Sequence, residues 1–335
     1  MALQNLPRSA EQYAAEQRAE IGAAVSAVER VWSRMDPADF DASYAEAVEP
    51  TLLAVVDKAQ ERVTASATAY IPRVMQEMGS PLPAAAYALK PLALVGTAGD
   101  GRPTDSLLYR AAIDAKRGVA GGLDPAAALE RSGRWLTGAT GTLLSDTGRT
   151  AERVAAGARR VEVFVRMLAP PSCGRCVILA GRITGRRDAF QRHPRCDCRN
   201  VPATPDTADD LKVNPTDYLD SLDDAGLART LGSKANAQAY RMGADANQIM
   251  NAYRRGIRQA QVYGRNVKYT TEGTTRRGLA YQRMRQAGYV RAQGESRTGR
   301  YSALRAPRLM PESIFQIATD PVDAQRLLRL YGWIL

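Results

Sequence analysis

Apolar residues in the first part of the chain recur every three or four positions, which is the period of an amphipathic helix. One such stripe begins after Ser9 and ends before Asp36-Pro37, and its members are Ile21, Val25, Val28, Trp32 and Met35. Residues 40–78 continue this period and predict one or two more helices. Ser9 and Gln12 have the spacing of a capping box at the start of the first helix. Because such stripes usually form a core, we expect the helices to pack on one another.

The middle of the chain alternates a loop, helices and a strand. Residues 96–103 are rich in glycine but contain no Gly-Lys-Ser/Thr, so they predict an ordinary loop and not a P-loop. Helices are predicted from Thr104 to Gly118, from Asp124-Pro125 onward, and over 140–160. Between Val161 and Met167 apolar and charged residues then alternate, which is the period of a strand.

The residues that carry chemistry are concentrated in one stretch. All four cysteines and the only histidine of the chain lie within residues 173–198, and they are Cys173, Cys176, His193, Cys196 and Cys198. The pattern Cys-x2-Cys, a spacer and His-x2-Cys-x-Cys offers two ligand pairs that can converge on one tetrahedral ion, and the favoured ion is Zn2+. Five candidates compete for the four positions of a structural zinc site, and the sequence does not decide which four ligate.

Two other interpretations of the cysteines remain open, namely two disulfides or unligated thiols. The region after Met1 has no signal-peptide pattern, which indicates synthesis in a reducing compartment where disulfides are rare. Around the cysteines, Val177-Ile178-Leu179 predicts a short strand and Arg199–Thr204 predicts a returning strand. We therefore expect a small β-ribbon that a zinc ion staples together.

The last third of the chain predicts short helices after a proline-rich linker. Two of them, Ser233–Arg241 and Ala246–Arg255, have the length and turn of a helix-turn-helix, which by itself is a weak signal for DNA reading. A final helix is predicted from Asp320-Pro321 to Gly332. The apolar tail Tyr331–Leu335 should dock either on a neighbouring protein or on the core of its own chain.

These patterns together predict an α+β fold that is mainly α-helical. The expected parts are a helical domain over 1–160, a zinc-knuckle β-ribbon module over 161–204, and a basic region of short helices with an apolar tail over 205–335. No segment is expected to span a membrane, because the longest apolar run, 81–99, is interrupted by Lys90 and by prolines.

The two halves of the chain differ in net charge. Residues 1–150 hold 15 Lys and Arg against 18 Asp and Glu, whereas 151–335 hold 31 against 17, and the whole chain has a formal charge of +11. Such a basic field attracts polyanions, so we expect binding to DNA without sequence preference; a solvated basic surface or an acidic protein partner is the alternative. The candidate DNA-binding residues are Arg254, Arg255, Arg258, Arg276, Arg277, Arg283 and Arg285.

An enzymatic function is not expected from this sequence. With His193 placed in the cysteine cluster, the chain has no second histidine for a catalytic triad, a zincin motif or the paired histidines of a zinc-stapled nuclease. The carboxylates form no distinctive cluster, so we predict no catalytic residues.

The pattern Cys173-Gly-Arg-Cys176, Gly181, His193-Pro-Arg-Cys196-Asp-Cys198 and Val201-Pro202 resembles the core motif of the MuF-like minor head proteins of tailed bacteriophages. The segments Thr271–Gly278 and Arg308–Ser313 are similar to the versions found in phages of actinobacteria. The resemblance is specific over about 160–202 and extends more loosely over 235–335.

The resemblance implies a minor capsid protein of the virion, assembled in the host cytoplasm and located in the capsid interior or portal region. Its implied partners are the portal protein, the major capsid protein and packaged DNA. Two alternatives remain: a zinc-containing DNA-binding regulatory protein and a metal-dependent hydrolase.

Overall fold

The computed structural model describes residues 6–168, 170, 172–188, 196, 198–211, 213–262, 264–275, 277–288 and 307–335. Within these residues the fold is mainly α-helical with two small three-stranded sheets, which confirms the predicted fold class. None of the described helices combines the length and the apolar character that a membrane crossing requires.

The helices of the first two thirds of the chain include three long ones. In chain order the α-helices of this part are α1 (Arg8–Trp32), α2 (Phe40–Ala42), α3 (Glu49–Glu77), α4 (Thr104–Ala120), α5 (Pro125–Ala158) and α6 (Gly174–Val177). The three long helices are α1, α3 and α5. Those that follow are short, and they are α7 (Pro215–Asp220), α8 (Asp224–Leu231), α9 (Lys234–Arg241), α10 (Ala246–Asn251), α11 (Leu279–Gln286), α12 (Pro311–Ile317) and α13 (Pro321–Leu330).

Both sheets are antiparallel. The strands of the first are β1 (Val163–Met167), β2 (Ile183–Gly185) and β3 (Arg199–Ala203), in the order β2-β1-β3 with Val165 paired to Ile183 and Val201. The strands of the second are β4 (Arg258–Val262), β5 (Arg265–Thr270) and β6 (Arg308–Leu309), in the order β4-β5-β6. Strands β1 and β3 confirm the strand predicted before the cysteines and the returning strand after them.

The chain forms two compact units. The first contains Met1–Pro170 and Leu179–Asn214, and the second contains Pro171–Ile178 and Pro215–Leu335. Residues 161–204, which the sequence predicts as a module of their own, are distributed between these units, with the first sheet in the same unit as the long helices.

The core of the first unit lies where α1, α3 and α5 pack on one another and α4 packs on α5. Tyr13 of α1 stacks on Tyr70 of α3 with 4.2 Å between ring centroids. Phe164 of β1 and Val201 of β3 belong to the same buried cluster, so the sheet rests on the helices. Val28, Trp32 and Met35 of the first stripe are therefore core residues, as expected, whereas Ile21 and Val25 of the same stripe are half-buried.

Two details of the helices differ from the predictions. The capping box at Ser9 is wrong: the Glu77 carboxylate, from the end of α3, accepts from the backbone N–H groups of Arg8 and Ser9 at 2.6 and 2.8 Å. Helix α5 is one continuous helix where the sequence predicts two. The small residues of its middle are poor helix formers, but buried Leu136 and Leu144 tie both halves to the core, and packing overrides propensity.

The second sheet was not predicted. The described side chains of β4, Arg258, Gln259 and Gln261, are polar and exposed. The alternation of apolar and polar residues that predicts a strand is therefore absent from its sequence. The helices α9 and α13 agree with the sequence, whereas α10 ends at Asn251 and the predicted remainder, Ala252–Arg255, is a 3-10 helix. Asp320 caps α13 by accepting from the Asp323 N–H at 2.8 Å.

The apolar tail folds onto its own unit. Trp333 is fully buried, and its indole N–H donates to the Leu309 carbonyl at 2.9 Å. The Arg308 guanidinium lies 3.7 Å from the Trp333 ring and donates to the Tyr331 and Gly332 carbonyls, both at 2.7 Å. Of the two expectations for the tail, docking on the core of its own chain is the observed one.

We therefore expect Trp333→Ala to lower the free energy of unfolding by about 3–5 kcal/mol, because it removes a fully buried aromatic ring and the ring face beneath Arg308. Leu335→Ala is the matched control in the same tail, since Leu335 is 68% exposed and its truncation should change stability by less than about 0.5 kcal/mol. Urea unfolding of the two variants measures the difference. Equal stability of both variants would contradict the packing of the tail.

Candidate metal centre

The thiols of three buried cysteines lie close together. The Sγ atoms of Cys176, Cys196 and Cys198 are all within 4.8 Å of one another, and this cluster can bind a metal ion. The Sγ of Cys173 lies 3.5 Å from that of Cys176, and none of these four cysteines forms a disulfide in the structure. Four thiolates around a tetrahedral ion with bonds of about 2.3 Å stand about 3.8 Å apart, which is comparable to these separations.

The structure thus brings together the four cysteines of the predicted ligand set. Cys173 is placed beside the cluster through Cys176, and it does not join the group in which all the thiols are mutually close. His193, the fifth candidate, lies outside the described residues.

The Cys-x2-Cys pair is shaped by the single turn of α6. Cys173 precedes the helix, and its carbonyl accepts from the Cys176 and Val177 N–H groups at 2.9 and 3.0 Å. Gly174 is required at this turn, because a Cβ there would lie 2.7 Å from the Thr230 carbonyl oxygen. The strand predicted at Val177-Ile178-Leu179 is wrong, since the same three residues end α6 and enter a turn.

A buried guanidinium donates hydrogen bonds to the backbone carbonyls of the Cys-x-Cys pair. Arg149 of α5 donates through Nε to the Cys198 carbonyl at 3.1 Å and through Nη2 to the Cys196 carbonyl. Its Nη1 pairs with the Asp146 carboxylate at 3.1 Å, and both side chains are about nine-tenths buried. Backbone carbonyls outside regular pairing need donors when buried, and Arg149 supplies them.

A second buried arginine extends this network into the helical core. Arg199 of β3 lies 3.5 Å from the Glu152 carboxylate and donates to the Gln17 side chain at 3.3 Å. Tyr13 donates its hydroxyl to Glu152 at 2.7 Å. Burial raises the pKa of the Glu152 carboxyl, and the nearby Arg199 charge acts in the opposite direction. Gly148 leaves room for the side chains of this network, because a Cβ there would lie 2.7 Å from the Gln17 amide oxygen of α1 and 3.0 Å from Nη1 of Arg199.

This network fixes the cysteine-bearing segment on α5, and the sequence analysis missed it. Charged residues in the middle of a helix are usually solvated, so Arg149 and Glu152 look like part of an exposed face. The available signal was their spacing, since Asp146, Arg149 and Glu152 recur every three residues and so share one side of α5.

The candidate DNA-binding arginines belong to the second unit. Arg254, Arg258, Arg277 and Arg285 are exposed. Arg283 is half-buried and donates to the Arg329 and Ile334 carbonyls at 2.9 and 2.5 Å, so it holds the tail. Arg276 and the side chain of Arg255 lie outside the described part of the structure.

A comparison of the chain with protein-family models, with curated proteins and with solved structures found no match. The geometry of the cysteines and the sequence motif therefore carry the functional argument.

Arg149→Met should destabilise the first unit by about 3–5 kcal/mol, because it removes the buried cation that pairs with Asp146 and the donors to two cysteine carbonyls. Arg134→Met, on the exposed side of the same helix, is the matched control; its salt bridge to Glu130 is largely solvated and should contribute less than about 1 kcal/mol. Chemical denaturation followed by circular dichroism measures both, and similar losses would refute a special role for Arg149.

Proposed function

We propose that this chain is a minor capsid protein of a tailed bacteriophage, with a fold that is stabilised by a bound zinc ion. The observation that carries the proposal is the meeting of Cys176, Cys196 and Cys198 in one buried cluster. These cysteines belong to the same motif that resembles the MuF-like minor head proteins, so motif and geometry concern the same residues. The proposed role is architectural, with no catalytic step.

Zinc is the proposed ion because the donors are soft thiolates and the three mutually close ones are buried. Structural zinc sites are filled by four protein ligands, whereas catalytic sites keep a position open for water. Cys176, Cys196 and Cys198 provide three ligands, and Cys173 or His193 provides the fourth. The Arg149 guanidinium, which donates to the carbonyls of Cys196 and Cys198, places a positive charge near these two ligands.

We expect the purified protein to carry about one zinc ion per chain, and Cys176→Ser and Cys196→Ser each to lose most of it. Metal analysis after gel filtration measures the content. Cys173→Ser and His193→Ala, made separately, identify the fourth ligand. A residue whose replacement leaves the zinc content unchanged is not a ligand. Ser106→Ala at an exposed position is the control. A folded, metal-free wild-type protein would remove zinc from the proposal.

DNA is the proposed partner of the second unit, contacted without sequence preference. Support comes from the net positive charge of residues 241–310, which hold 15 Lys and Arg against three Asp and Glu. Arg254, Arg258, Arg277 and Arg285 are exposed and can approach phosphates. Arg283 is withdrawn from the proposed contact set, since its guanidinium is committed to the Arg329 and Ile334 carbonyls.

Replacing Arg254, Arg258, Arg277 and Arg285 together by Gln should weaken duplex binding and flatten its salt dependence by about 0.9 per lost phosphate contact. Fluorescence titrations at several salt concentrations measure the slope. The matched control replaces Arg110 and Arg117 of α4, which lie beside Asp114 in the first unit. An unchanged slope would favour an acidic protein partner, and strong preference for one sequence would favour the regulator hypothesis.

The assignment to the virion has its own test. Mass spectrometry of purified particles of the phage that encodes this chain should detect it at few copies per particle, together with the portal and major capsid proteins. Its absence from particles, in cells where the protein is made and folded, would refute the proposed function.

A further inference from the structure

One segment of the first unit exposes apolar side chains over its whole length. Residues 81–88, with the sequence Pro-Leu-Pro-Ala-Ala-Ala-Tyr-Ala, are all exposed. Leu82 is 39% exposed and Tyr87 52%, and Leu92 shortly after them is 66% exposed. Soluble proteins rarely leave contiguous apolar surface uncovered unless it meets a partner. We call residues 81–92 the apolar strap.

The apolar strap is fixed to its own unit at a few points. Ala86 donates its backbone N–H to the Ala158 carbonyl at 2.8 Å, and Arg159 donates to the Pro83 carbonyl at 3.0 Å. The Tyr87 hydroxyl approaches the Val154 carbonyl at 3.5 Å. Leu89 packs against the core cluster. The strap is therefore held in place while the outward side chains stay uncovered, and such pre-ordering lowers the entropic cost of binding.

The backbone of the strap is irregular over residues 81–90, and its end, with Leu92, belongs to the 3-10 helix Pro91–Leu94. Within the described structure, Ala86 is the residue of 81–89 whose N–H bonds to another backbone group, and no helix or strand is formed there. Pro81 and Pro83 restrict their own φ angles to the value of a polyproline-II chain. An ordered segment that presents exposed Leu and Tyr side chains offers anchors to an apolar groove.

The charge around the strap indicates the chemistry of that groove. Residues 78–99 contain Lys90 and no Asp or Glu, and Arg159, which contacts the strap, is followed by exposed Arg160. A surface that is apolar in the middle and basic at the edges is complementary to an apolar groove with carboxylates on its rim.

We propose that the apolar strap is the segment by which this protein docks on a neighbouring protein of the assembled particle, in an apolar groove with an acidic rim. This inference rests on the proposed function, since it names the contact that holds the chain in the head. The charged C-terminal surface and the strap belong to different units, so DNA binding and docking are separable by substitution.

The test compares particle incorporation of substituted full-length chains in a phage that lacks the native gene. Leu82→Glu combined with Leu92→Glu should lower the copy number per particle by about tenfold or more. The double variant loses two apolar side chains that would fill the groove, and its new carboxylates face the acidic rim. Val322→Glu is the matched control, since Val322 is an exposed apolar residue of the other unit at 77% exposure. Lys90→Glu should reduce incorporation by a smaller factor, through the acidic rim alone.

Each result decides between clear alternatives. Reduced incorporation of the double variant, with wild-type melting temperature, zinc content and DNA binding, supports the docking role. Incorporation equal to wild type, or loss of folding in a variant changed only at exposed positions, overturns it. Wild-type binding to anionic phosphatidylglycerol vesicles that the double variant lacks, with unchanged incorporation, would assign the strap to a lipid surface instead. Absence of the wild-type chain itself from particles would refute the proposed function, and this inference with it.

Discussion

The hydrogen bonds from Arg149 to the carbonyls of Cys196 and Cys198 are the interaction on which the candidate site depends. Both cysteines precede β3, and a buried carbonyl without a donor is costly. A guanidinium offers five donors in one plane, so one side chain can serve both carbonyls and still pair with Asp146. The Cys-x-Cys backbone is thereby fixed on α5 by groups other than the thiols, which leaves the sulfur atoms available to a metal.

In the second unit, too, buried arginine side chains donate hydrogen bonds to backbone carbonyls, here near the C-terminus. Arg308 donates to the Tyr331 and Gly332 carbonyls and lies against the Trp333 ring, and its burial lowers the pKa of the guanidinium to about 10. Arg283 donates to two further carbonyls of the same segment. Some arginines of this chain therefore donate hydrogen bonds to backbone carbonyls instead of facing solvent. Net charge alone consequently overestimates the number of arginines that can contact DNA.

An architectural role agrees with where the polar groups of the first unit lie. The buried network of Tyr13, Glu152 and Arg199 joins α1, α5 and β3, because Tyr13 and Arg199 both reach the Glu152 carboxylate. Such networks rigidify a fold when their members are satisfied. A site built of buried thiols on a rigid support suits a structural metal, and the exposed arginines and the apolar strap offer contacts to other molecules on surfaces of their own.

The sequence by itself determined the features that rest on local periodicity and on ligand clustering. The stripe from Ile21 to Met35, the strands at 163–167 and 199–203, the final helix and the concentration of cysteines all follow from spacing along the chain. Tertiary structure alone decided the rest. Contacts between residues far apart in sequence are the reason that Glu77 caps α1, that Arg149 supports the cysteines and that Arg308 covers Trp333. Packing of Leu136 and Leu144 on the core is the reason that α5 runs unbroken. The spacing of Asp146, Arg149 and Glu152 places them on one side of α5, but it does not show that this side is buried, because a charged side chain has the same appearance in a sequence whether water or a buried carbonyl satisfies it.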